Sequence, residues 1–444
     1  MAQQWSRRSV TRRQVLQTFA WSAAGLALAA CSQAGAPAPQ PTTAATSAQQ
    51  APAGGSTPSA ATRLSGSTVR FGALANYKGD ALEKTFPDFE KATGIKVQID
   101  KLPDTNLSDK LTVSFASGSP DYDVSMMDEP WVPGLSSFLA NADELAARDG
   151  VDLKQYLPKA LEAGVYNGQR VAMPLDPNVM MLWFRKDQLE AKGIQPPKDF
   201  NAIMDTAEKL NDPNGIAGIS VAAKQDAQTS TTAILLLWNE GGDVITPDGK
   251  FGFDSPAGIK ALETYQRLIK SAPSGVLGYG ATEELDAFYT GKAAMVFYWA
   301  SIGANATDPQ KTQGADKVGW ASVPNGMRGV WTLGIAKDAK NRDAAWEWVK
   351  WITGPEGSQL FTRYGGGNSP RFDVLHSDEF KQKFPWAPDL ESAVAASRAR
   401  PQTPNWNGIQ TVIVDMTSGV LSGQKTPGDA VKVAAEQVAP YLKS

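Results

Sequence analysis

Residues 68–128 read TVRFGALANYKGDALEKTFPDFEKATGIKVQIDKLPDTNLSDKLTVSFASGSPDYDVSMMD. Their apolar residues follow strand spacing and helix spacing in turn. The predicted elements are a strand at 69–73, a helix at 82–93, a strand at 95–99, a helix at 108–117 and a strand at 122–127. This β-α-β-α-β succession indicates an open, mainly parallel α/β sheet.

The carboxyl ends of these strands are where a ligand site is expected. In open α/β sheets, ligands bind beyond the carboxyl ends of the strands. The loops that follow the three strands therefore predict Asn76, Asp128 and Glu129 as ligand-binding residues. Helix capping and solvation remain the alternative for the two acidic residues.

The chain beyond residue 175 predicts a second set of strands and helices. Pro174 and Pro177 flank a short extended piece, which indicates a stiff crossover rather than a sheet interior. Helix and strand patterns then alternate again, for example at 200–210 and 216–221. Because 444 residues are too many for one compact core, the sequence predicts two α/β lobes joined by extended crossovers.

The start of the chain has the layout of an export signal. Two arginines at 12–13 precede an apolar run at 19–30, which ends directly before Cys31 in Leu-Ala-Ala. This predicts a twin-arginine-like signal peptide at 1–30 with a lipobox, and acylation of Cys31. The run is shorter than the ~20 residues that a spanning helix needs, which disfavours an uncleaved anchor. Residues 31–66, rich in Ala, Pro, Gly, Ser and Thr, predict a lipidated disordered tether.

Composition narrows the class of function. The net charge of −3 and the pI of about 5.5 give no reason to expect a nucleic-acid partner. The chain has one histidine, His376, and one cysteine, Cys31, so neither a Cys/His zinc site nor a Ser-His-Asp triad with a spare partner can be assembled. No glycine-rich phosphate loop follows a strand. We expect no metal, no cofactor and no catalysis, which favours binding over turnover.

Thirteen tryptophans are many for this length, and five of them lie at strand ends or in loops beside small or polar residues. These five are Trp131, Trp238, Trp299, Trp331 and Trp406. The C–H face of a sugar ring stacks on an indole, while sugar hydroxyls pair with planar polar side chains. Core packing is the alternative for each tryptophan alone, but it is a poorer account of all five. The pattern predicts aromatic platforms for a sugar.

Four further residues are predicted to contact a ligand. Asp176 and Asn178 lie in the crossover and face the cleft if two lobes flank it, although turn chemistry beside a proline is the alternative. Gly366 belongs to a run of three glycines that permits close backbone approach, and Arg371 is nearby. The alternative for the glycines is that they end the preceding helix.

Several segments carry a family resemblance through their order along the chain. They are DVSMMDEPWV at 123–132, MP at 173–174 with LWFRK at 182–186, FYTGKAAM at 288–295, WTLGI at 331–335, and RP at 400–401 with PNW at 404–406. In this order they resemble the extracellular solute-binding proteins of family 1, the sugar-binding type that serves ABC importers, over about residues 68–444. Trp183 departs from the family, because many relatives have tyrosine at that place near the hinge.

The resemblance implies a two-lobed, periplasmic-binding-protein-like (type II) fold that closes on its ligand, each lobe a mainly parallel sheet flanked by helices. It implies an N-terminal lobe of 67–174 plus 294–330 and a C-terminal lobe of 175–293 plus 331–444. It also implies a monomeric lipoprotein, anchored outside the cytoplasm to the cell membrane through Cys31, that delivers its ligand to permease subunits.

The residues and the resemblance together favour reversible binding of a mono- or oligosaccharide for uptake. Two alternatives stay open. A cationic ligand such as a polyamine would be caged by tryptophan together with Asp128, Glu129 and Asp176. A secreted carbohydrate-active enzyme would return its sugar chemically changed.

Overall fold

The computed structural model describes residues 63–323 and 325–442. The predicted signal peptide, Cys31 and the tether as far as residue 62 lie outside the described residues. All the described residues belong to one compact unit that spans Thr57–Ser444. Within this described part of the chain, no helix combines the length and the apolar character that crossing a bilayer requires.

The described residues alternate between strands and helices along the chain. The strands are β1 Thr68–Leu74, β2 Lys96–Leu102, β3 Val124–Asp128, β4 Val165–Tyr166, β5 Gln169–Arg170, β6 Ala172–Asp176, β7 Met180–Arg185, β8 Met295–Trp299, β9 Val318–Ser322, β10 Met327–Arg328, β11 Trp331–Ile335 and β12 Arg398–Ala399. The α-helices are Tyr77–Thr93, Asp104–Ala116, Val132–Leu135, Ala142–Arg148, Pro158–Glu162, Lys186–Ala191, Phe200–Leu210, Ala227–Asn239, Pro256–Leu268, Ala281–Tyr289, Gly303–Ala306, Arg342–Ile352, Pro355–Arg363, Phe372–Leu375, Asp378–Lys383, Ala387–Ala395, Trp406–Leu421 and Pro427–Val438.

The first sheet has five strands in the order β2-β1-β3-β11-β6. β1 pairs in parallel with β2 and β3, which confirms the β-α-β-α-β succession predicted for 68–128. β3 is buried along its whole length, as a strand covered on both faces should be. β11 inserts antiparallel between β3 and β6. The carboxyl ends of β1, β2 and β3 therefore meet at one edge of this sheet.

The second sheet has three strands in the order β8-β7-β9, and both pairings are antiparallel. Along β7, Met180 and Leu182 pack into one hydrophobic cluster, whereas Met181 and Trp183 pack into another. Because successive side chains of a strand point to opposite faces, helices cover this sheet on both sides. The two sheets with their helices define two lobes.

The second sheet differs from the mainly parallel arrangement expected for each lobe. The segment 216–221, predicted as a strand, contributes only the single parallel bridges of Ala217 with Ala293 and Ser220 with Val296. The strands that pair over their whole length are β7, β8 and β9, and they run antiparallel. The expected parallel sheet does not form here, because the strands that pair with β7 are β8 and β9, which lie more than a hundred residues further along the chain.

The strand pairing also corrects the expected lobe boundaries. β8 and β9, assigned to the N-terminal lobe, lie in the second sheet, whereas β11, assigned to the C-terminal lobe, lies between β3 and β6 in the first. The helix Arg342–Ile352 stays with the first sheet, since the Trp348 ring lies 6.0 Å from that of Phe71. Between β9 and β11 the chain passes from the second sheet to the first, which is the opposite direction to the one predicted at 330/331.

Among the described residues, three connections join the two lobes. The first is residues 177–179 between β6 and β7, the second carries β10 between β9 and β11, and the third follows the helix Pro355–Arg363. β10 pairs in parallel with β12, which places Arg328 beside Ala399. This two-stranded β10–β12 ribbon lies next to the end of β3, where the arginines described below find their partners.

Candidate ligand-binding cleft

A cavity of about 870 Å³ lies between the strand ends of the first lobe and the helices of the second. The first lobe contributes residues 74–78, Pro103, Asp128 and Trp331, at the ends of β1, β2 and β3 and the start of β11. All three loops that the strand-end rule selects therefore reach the cavity wall. The second lobe contributes the start of one long helix, a face of two others and the end of β8.

The loop after β1 is shaped by a helix cap and a buried ion pair. Asn76 caps the helix Tyr77–Thr93 by accepting a hydrogen bond from the backbone N–H of Lys78 at 2.9 Å. The Lys78 ammonium donates to the carboxylate of Asp176, and both side chains are buried. Burial alone would lower the pKa of Lys78, but the Asp176 carboxylate outweighs it and raises that pKa. Lys78 is therefore charged and fully engaged.

The first crossover is tied to the end of β8. The side-chain amide of Asn178 donates to the Ser301 hydroxyl at 2.9 Å, and its oxygen accepts from the Ser301 backbone N–H at 3.0 Å. The Tyr77 hydroxyl lies 3.0 Å from the same Ser301 oxygen. Asn178 thus links the crossover, the second sheet and the loop after β1 at one place on the cavity wall.

The end of β3 carries two consecutive carboxylates, and each one binds a buried arginine. Arg400 donates to the carboxylate of Asp128 at 2.7 Å, and Arg328 donates to that of Glu129 at 2.7 Å. Arg328 lies on β10, and Arg400 directly follows β12. We call these four residues the arginine clasp. Because β10 and β12 pair with each other, the clasp joins the ribbon to the first sheet at two adjacent points.

The two halves of the clasp differ in their exposure to the cavity. Asp128 and Arg400 line the cavity, whereas Glu129 is only 1% exposed and lies behind the wall. Burial raises the pKa of Glu129, while the Arg328 guanidinium opposes that shift. Glu129 and Arg328 therefore lie behind the wall, and Asp128 and Arg400 face the cavity.

Two tryptophans line the cavity beside the clasp. Trp331, 9% exposed, packs edge-to-face on Trp131 with ring centroids 5.6 Å apart. Trp299 is half-buried, and its indole N–H donates to the side-chain oxygen of Gln228 at 3.1 Å. A Cβ at Gly329 would lie 2.7 Å from the Trp299 ring, so glycine is required for this close approach. Both indoles are thus fixed by neighbours before any ligand arrives.

The second lobe supplies a polar wall next to Trp299, which belongs to the same lobe. The Asp226 carboxylate accepts from the backbone N–H of Gln228 at 2.8 Å, as the N-cap of its helix. Behind this wall, burial raises the pKa of Glu284 well above its usual range, and the neighbouring Asp226 adds to the shift. Asp226 itself faces the cavity.

Two exposed carboxylates extend this wall. Asp286 projects from the helix Ala281–Tyr289, and Asp415 accepts a hydrogen bond from the side-chain amide of Gln225. Gln225 directly precedes Asp226 in the chain, so the three aspartates belong to one continuous side of the cavity. The cavity thus offers aromatic faces together with carboxylates, amides and a guanidinium, which suit C–H faces and hydroxyl groups.

The structure brings five of the twelve predicted ligand-binding residues to the cavity. These five are Asn76, Asp128, Asn178, Trp299 and Trp331. Three others lie directly behind the wall and support it: Glu129 under Arg328, Trp131 under Trp331, and Asp176 under Lys78. The positions of strand ends and of the crossover predict the region of the cavity. They do not distinguish residues that line the cavity from residues that lie behind its wall.

The remaining four predicted residues do not line the cavity. Trp238 is buried beneath the Arg398 guanidinium, which lies 4.7 Å from its ring, and Trp406 is fully buried in the first turn of a helix. Arg371 pairs with Asp373 at 2.6 Å. Gly366 is packed so closely that a Cβ would lie 2.1 Å from the Phe361 ring. The alternatives of core packing and helix termination describe Trp238, Trp406 and Gly366 better.

Sequence reasoning misses several residues of the wall. The missed polar side chains include Lys78, Asp226, Gln228, Asp286, Arg400 and Asp415. A signal exists for Arg400, which lies in the family-like segment at 400–401, and for Asp226, which is recognisable as a helix N-cap. Asp286 and Asp415 have no local signal, because each is an exposed acid on an amphipathic helix.

Two lobes of α/β structure around a polar and aromatic cavity define a binding protein that encloses a small ligand. Residues 72–359 match the family of bacterial extracellular solute-binding proteins. The chain belongs to this family, which confirms the resemblance drawn from the sequence.

Known proteins resemble the chain over most of its length. It is 25% identical to the probable amino-acid ABC transporter periplasmic-binding protein y4oP of Sinorhizobium fredii, over 85% of this chain and 90% of that one. Among solved structures, a ribitol-bound ABC transporter solute-binding protein of Agrobacterium radiobacter has a TM-score of 0.80 at 25% identity, covering 85% of this chain and 98% of that one. The maltose-bound MalE3 of T. maritima has a TM-score of 0.78 at 26% identity, covering 84% and 99%. The two-lobed α/β fold class is confirmed.

The arginine clasp leads to a prediction about stability and pH. Arg328→Met should lower the free energy of unfolding by about 3–5 kcal/mol at pH 8, because it leaves the Glu129 carboxylate buried without its guanidinium partner. It also raises the pKa of Glu129 further, since burial is then less opposed. A carboxyl with a raised folded-state pKa loses stability as the pH rises through that pKa, so the loss should be smaller at pH 5.

Chemical denaturation followed by circular dichroism at both pH values measures this difference. The double variant Arg328→Met/Glu129→Leu is the matched control, because it removes both charges and should recover part of the loss. Equal losses for Arg328→Met at pH 5 and pH 8 would contradict an ionised, buried Glu129.

Proposed function

We propose that the protein is the substrate-binding component of an ABC importer and that it captures a mono- or oligosaccharide, or a related polyol, in the interlobe cavity. Closure of the lobes presents the ligand to permease subunits, and the ligand is released chemically unchanged. The observation that carries the proposal is that Trp299, Trp331 and polar groups of both lobes line the same cavity.

Two similar structures support a polyhydroxylated ligand, since they contain ribitol and maltose. The name of the relative from Sinorhizobium fredii instead points to an amino acid. A free cation is the usual side-chain partner of an amino acid's carboxylate, but Lys78 and Arg400, the basic side chains among the described residues of the cavity wall, already pair with Asp176 and Asp128. The cavity chemistry therefore favours sugars and polyols.

The three acidic residues that the sequence suggests for binding a polyamine are already paired with basic side chains. Asp128, Glu129 and Asp176 each bind a buried basic side chain, so none of them is free to neutralise a polyamine.

The polyamine alternative and the enzyme alternative are both tested together with the main proposal. Sugars, polyols, amino acids and polyamines are titrated into the purified full-length protein by calorimetry, and the bound compound is recovered and weighed by mass spectrometry. A sugar or polyol should bind and return unchanged; binding of amino acids or polyamines alone, or a changed sugar mass, would overturn the proposal.

The two cavity tryptophans give a prediction about affinity. Trp299→Ala and Trp331→Ala should each weaken binding of that sugar or polyol by about 1–3 kcal/mol, because each removes an aromatic platform. Trp320→Ala is the matched control, since Trp320 is also partly buried but hydrogen-bonds Asp389 away from the cavity. Unchanged calorimetric affinity in both cavity variants, with an unchanged circular dichroism spectrum, would remove the stacking account.

The export signal carries a separate part of the proposal. Residues 1–30 direct export, Cys31 is acylated, and the tether holds the binding lobes within reach of the permease. Cys31→Ser should abolish incorporation of a labelled fatty acid and move the protein from the membrane to the soluble fraction. Ser32→Ala is the control that should keep both properties. Fractionation of Cys31→Ser with the membrane, as strongly as the wild type, would argue against the lipid anchor.

A further inference from the structure

The Trp299 indole is held at both of its ends. Its N–H donates to the side-chain oxygen of Gln228 at 3.1 Å. At the far edge of its six-membered ring, a Cβ on Gly329 would lie 2.7 Å from Cη2 and 2.7 Å from Cζ3. A real Cβ almost never approaches another heavy atom so closely, so the ring occupies space that only a glycine leaves free. The two contacts fix the indole at opposite points of its outline.

Gln228 is itself held in place. It is only 6% exposed and lies in the first turn of the helix Ala227–Asn239, where its backbone N–H donates to the Asp226 carboxylate at 2.8 Å. Its side-chain amide lies beside the buried carboxyl of Glu284. A buried side chain with neighbours on both sides has little freedom to turn. The acceptor that Gln228 offers to the Trp299 N–H is therefore a rigid one.

Gly329 belongs to the second connection between the lobes, two residues before Trp331. Its backbone N–H donates to the carbonyl oxygen of Asn178, in the first connection, at 3.0 Å. Trp299, in contrast, ends β8 in the second lobe. The indole of the second lobe therefore rests on the segment that leads directly to the Trp331 indole in the first lobe. Both cavity tryptophans are thus placed by one short piece of chain.

We propose that Gln228 and Gly329 are positioning residues that determine affinity for the sugar or polyol by holding the Trp299 indole. Because the Trp299 N–H is taken by Gln228, the ring offers a ligand its aromatic face rather than a hydrogen bond. Because Gly329 has no side chain, the same ring reaches the connection between the lobes, so its position is linked to how the lobes are arranged. This inference rests on the proposed function and adds two residues that act through Trp299.

A double-mutant cycle tests Gln228. Gln228→Leu removes the acceptor for the indole N–H and should weaken binding about three- to tenfold, the worth of one hydrogen bond. Trp299→Phe keeps an aromatic face but has no N–H to donate. In the Trp299→Phe background, Gln228→Leu should therefore have almost no further effect on affinity. An equal loss in both backgrounds would mean that Gln228 acts on the ligand directly, which overturns its positioning role. Gln266→Leu is the matched control, because Gln266 donates to the Val420 carbonyl away from the cavity.

An exchange of size tests Gly329. Gly329→Ala should weaken binding about tenfold, because the added methyl group displaces the Trp299 ring. A phenylalanine ring is shorter than an indole and leaves room for that methyl group, so Gly329→Ala should cost little in the Trp299→Phe background. The new Cβ would also lie 3.2 Å from Nη2 of Arg400, and a loss of equal size in both backgrounds would point to that contact and overturn the role through Trp299. Gly278→Ala is the matched control, since a Cβ there meets no atom within 4 Å.

Calorimetry on the full-length protein gives the affinities, with ribitol, maltose and the other sugars and polyols of the panel as probes. Circular dichroism shows whether each variant folds. If Gly329→Ala does not fold, Trp299→Phe/Gly329→Ala should fold, and failure of both would contradict the ring contact. Additive losses in both cycles would overturn this inference while leaving sugar binding intact. Failure of every sugar and polyol to bind the wild type would overturn the proposed function and this inference with it.

Discussion

Two consecutive carboxylates at the end of β3 determine how the cleft is held. Asp128 and Glu129 point to opposite sides of the cavity wall, and each binds an arginine from the β10–β12 ribbon. Removing one partner of a buried ion pair typically costs 3–5 kcal/mol, whereas an exposed pair such as Lys101 with Asp80 contributes about 0–1 kcal/mol. The buried clasp, rather than the many surface pairs, therefore fixes the ribbon against the first lobe.

The clasp also explains why the wall is arranged as it is. Since Arg400 is held by Asp128, its guanidinium is fixed in front of the Trp299 and Trp406 rings, 5.9 and 6.0 Å from their centroids. A ligand hydroxyl that hydrogen-bonds to Asp128 or Arg400 therefore contacts an ion pair that holds the β10–β12 ribbon against the first sheet. β10 lies in the second of the three connections between the lobes. The Lys78–Asp176 pair has the same role at the first connection between the lobes. Asp176 also accepts a hydrogen bond at 2.8 Å from the backbone N–H of Asn368, which lies in the third connection.

The fold of the first lobe and the position of the cleft follow from local sequence pattern. Strand alternation and helix caps predict β1 to β3, and the strand-end rule then leads to Asn76 and Asp128. The antiparallel second sheet is not predictable in this way, because β8 and β9 pair with β7 across long sequence separations. No local pattern reports such pairing.

The site itself is predictable only where it lies at strand ends. Trp238 and Trp406, like Trp299, lie beside small or polar residues in the sequence, yet they are buried in helices, so neighbouring residues in the sequence do not predict exposure to a cavity. Asp286 and Asp415 become neighbours of the same cavity only through the packing of helices from distant parts of the chain. Long-range packing, not local propensity, decides which polar residues face a ligand.

If the cavity between the lobes holds a polyhydroxylated ligand between the indole rings and the arginine clasp, a crystal structure grown with a sugar or polyol that binds in solution will show it there. The ligand should lie against Trp299 and Trp331, with hydroxyls hydrogen-bonded to Asp128 and Arg400. A ligand bound elsewhere, or one in the cavity that touches neither indole nor the clasp, would contradict it.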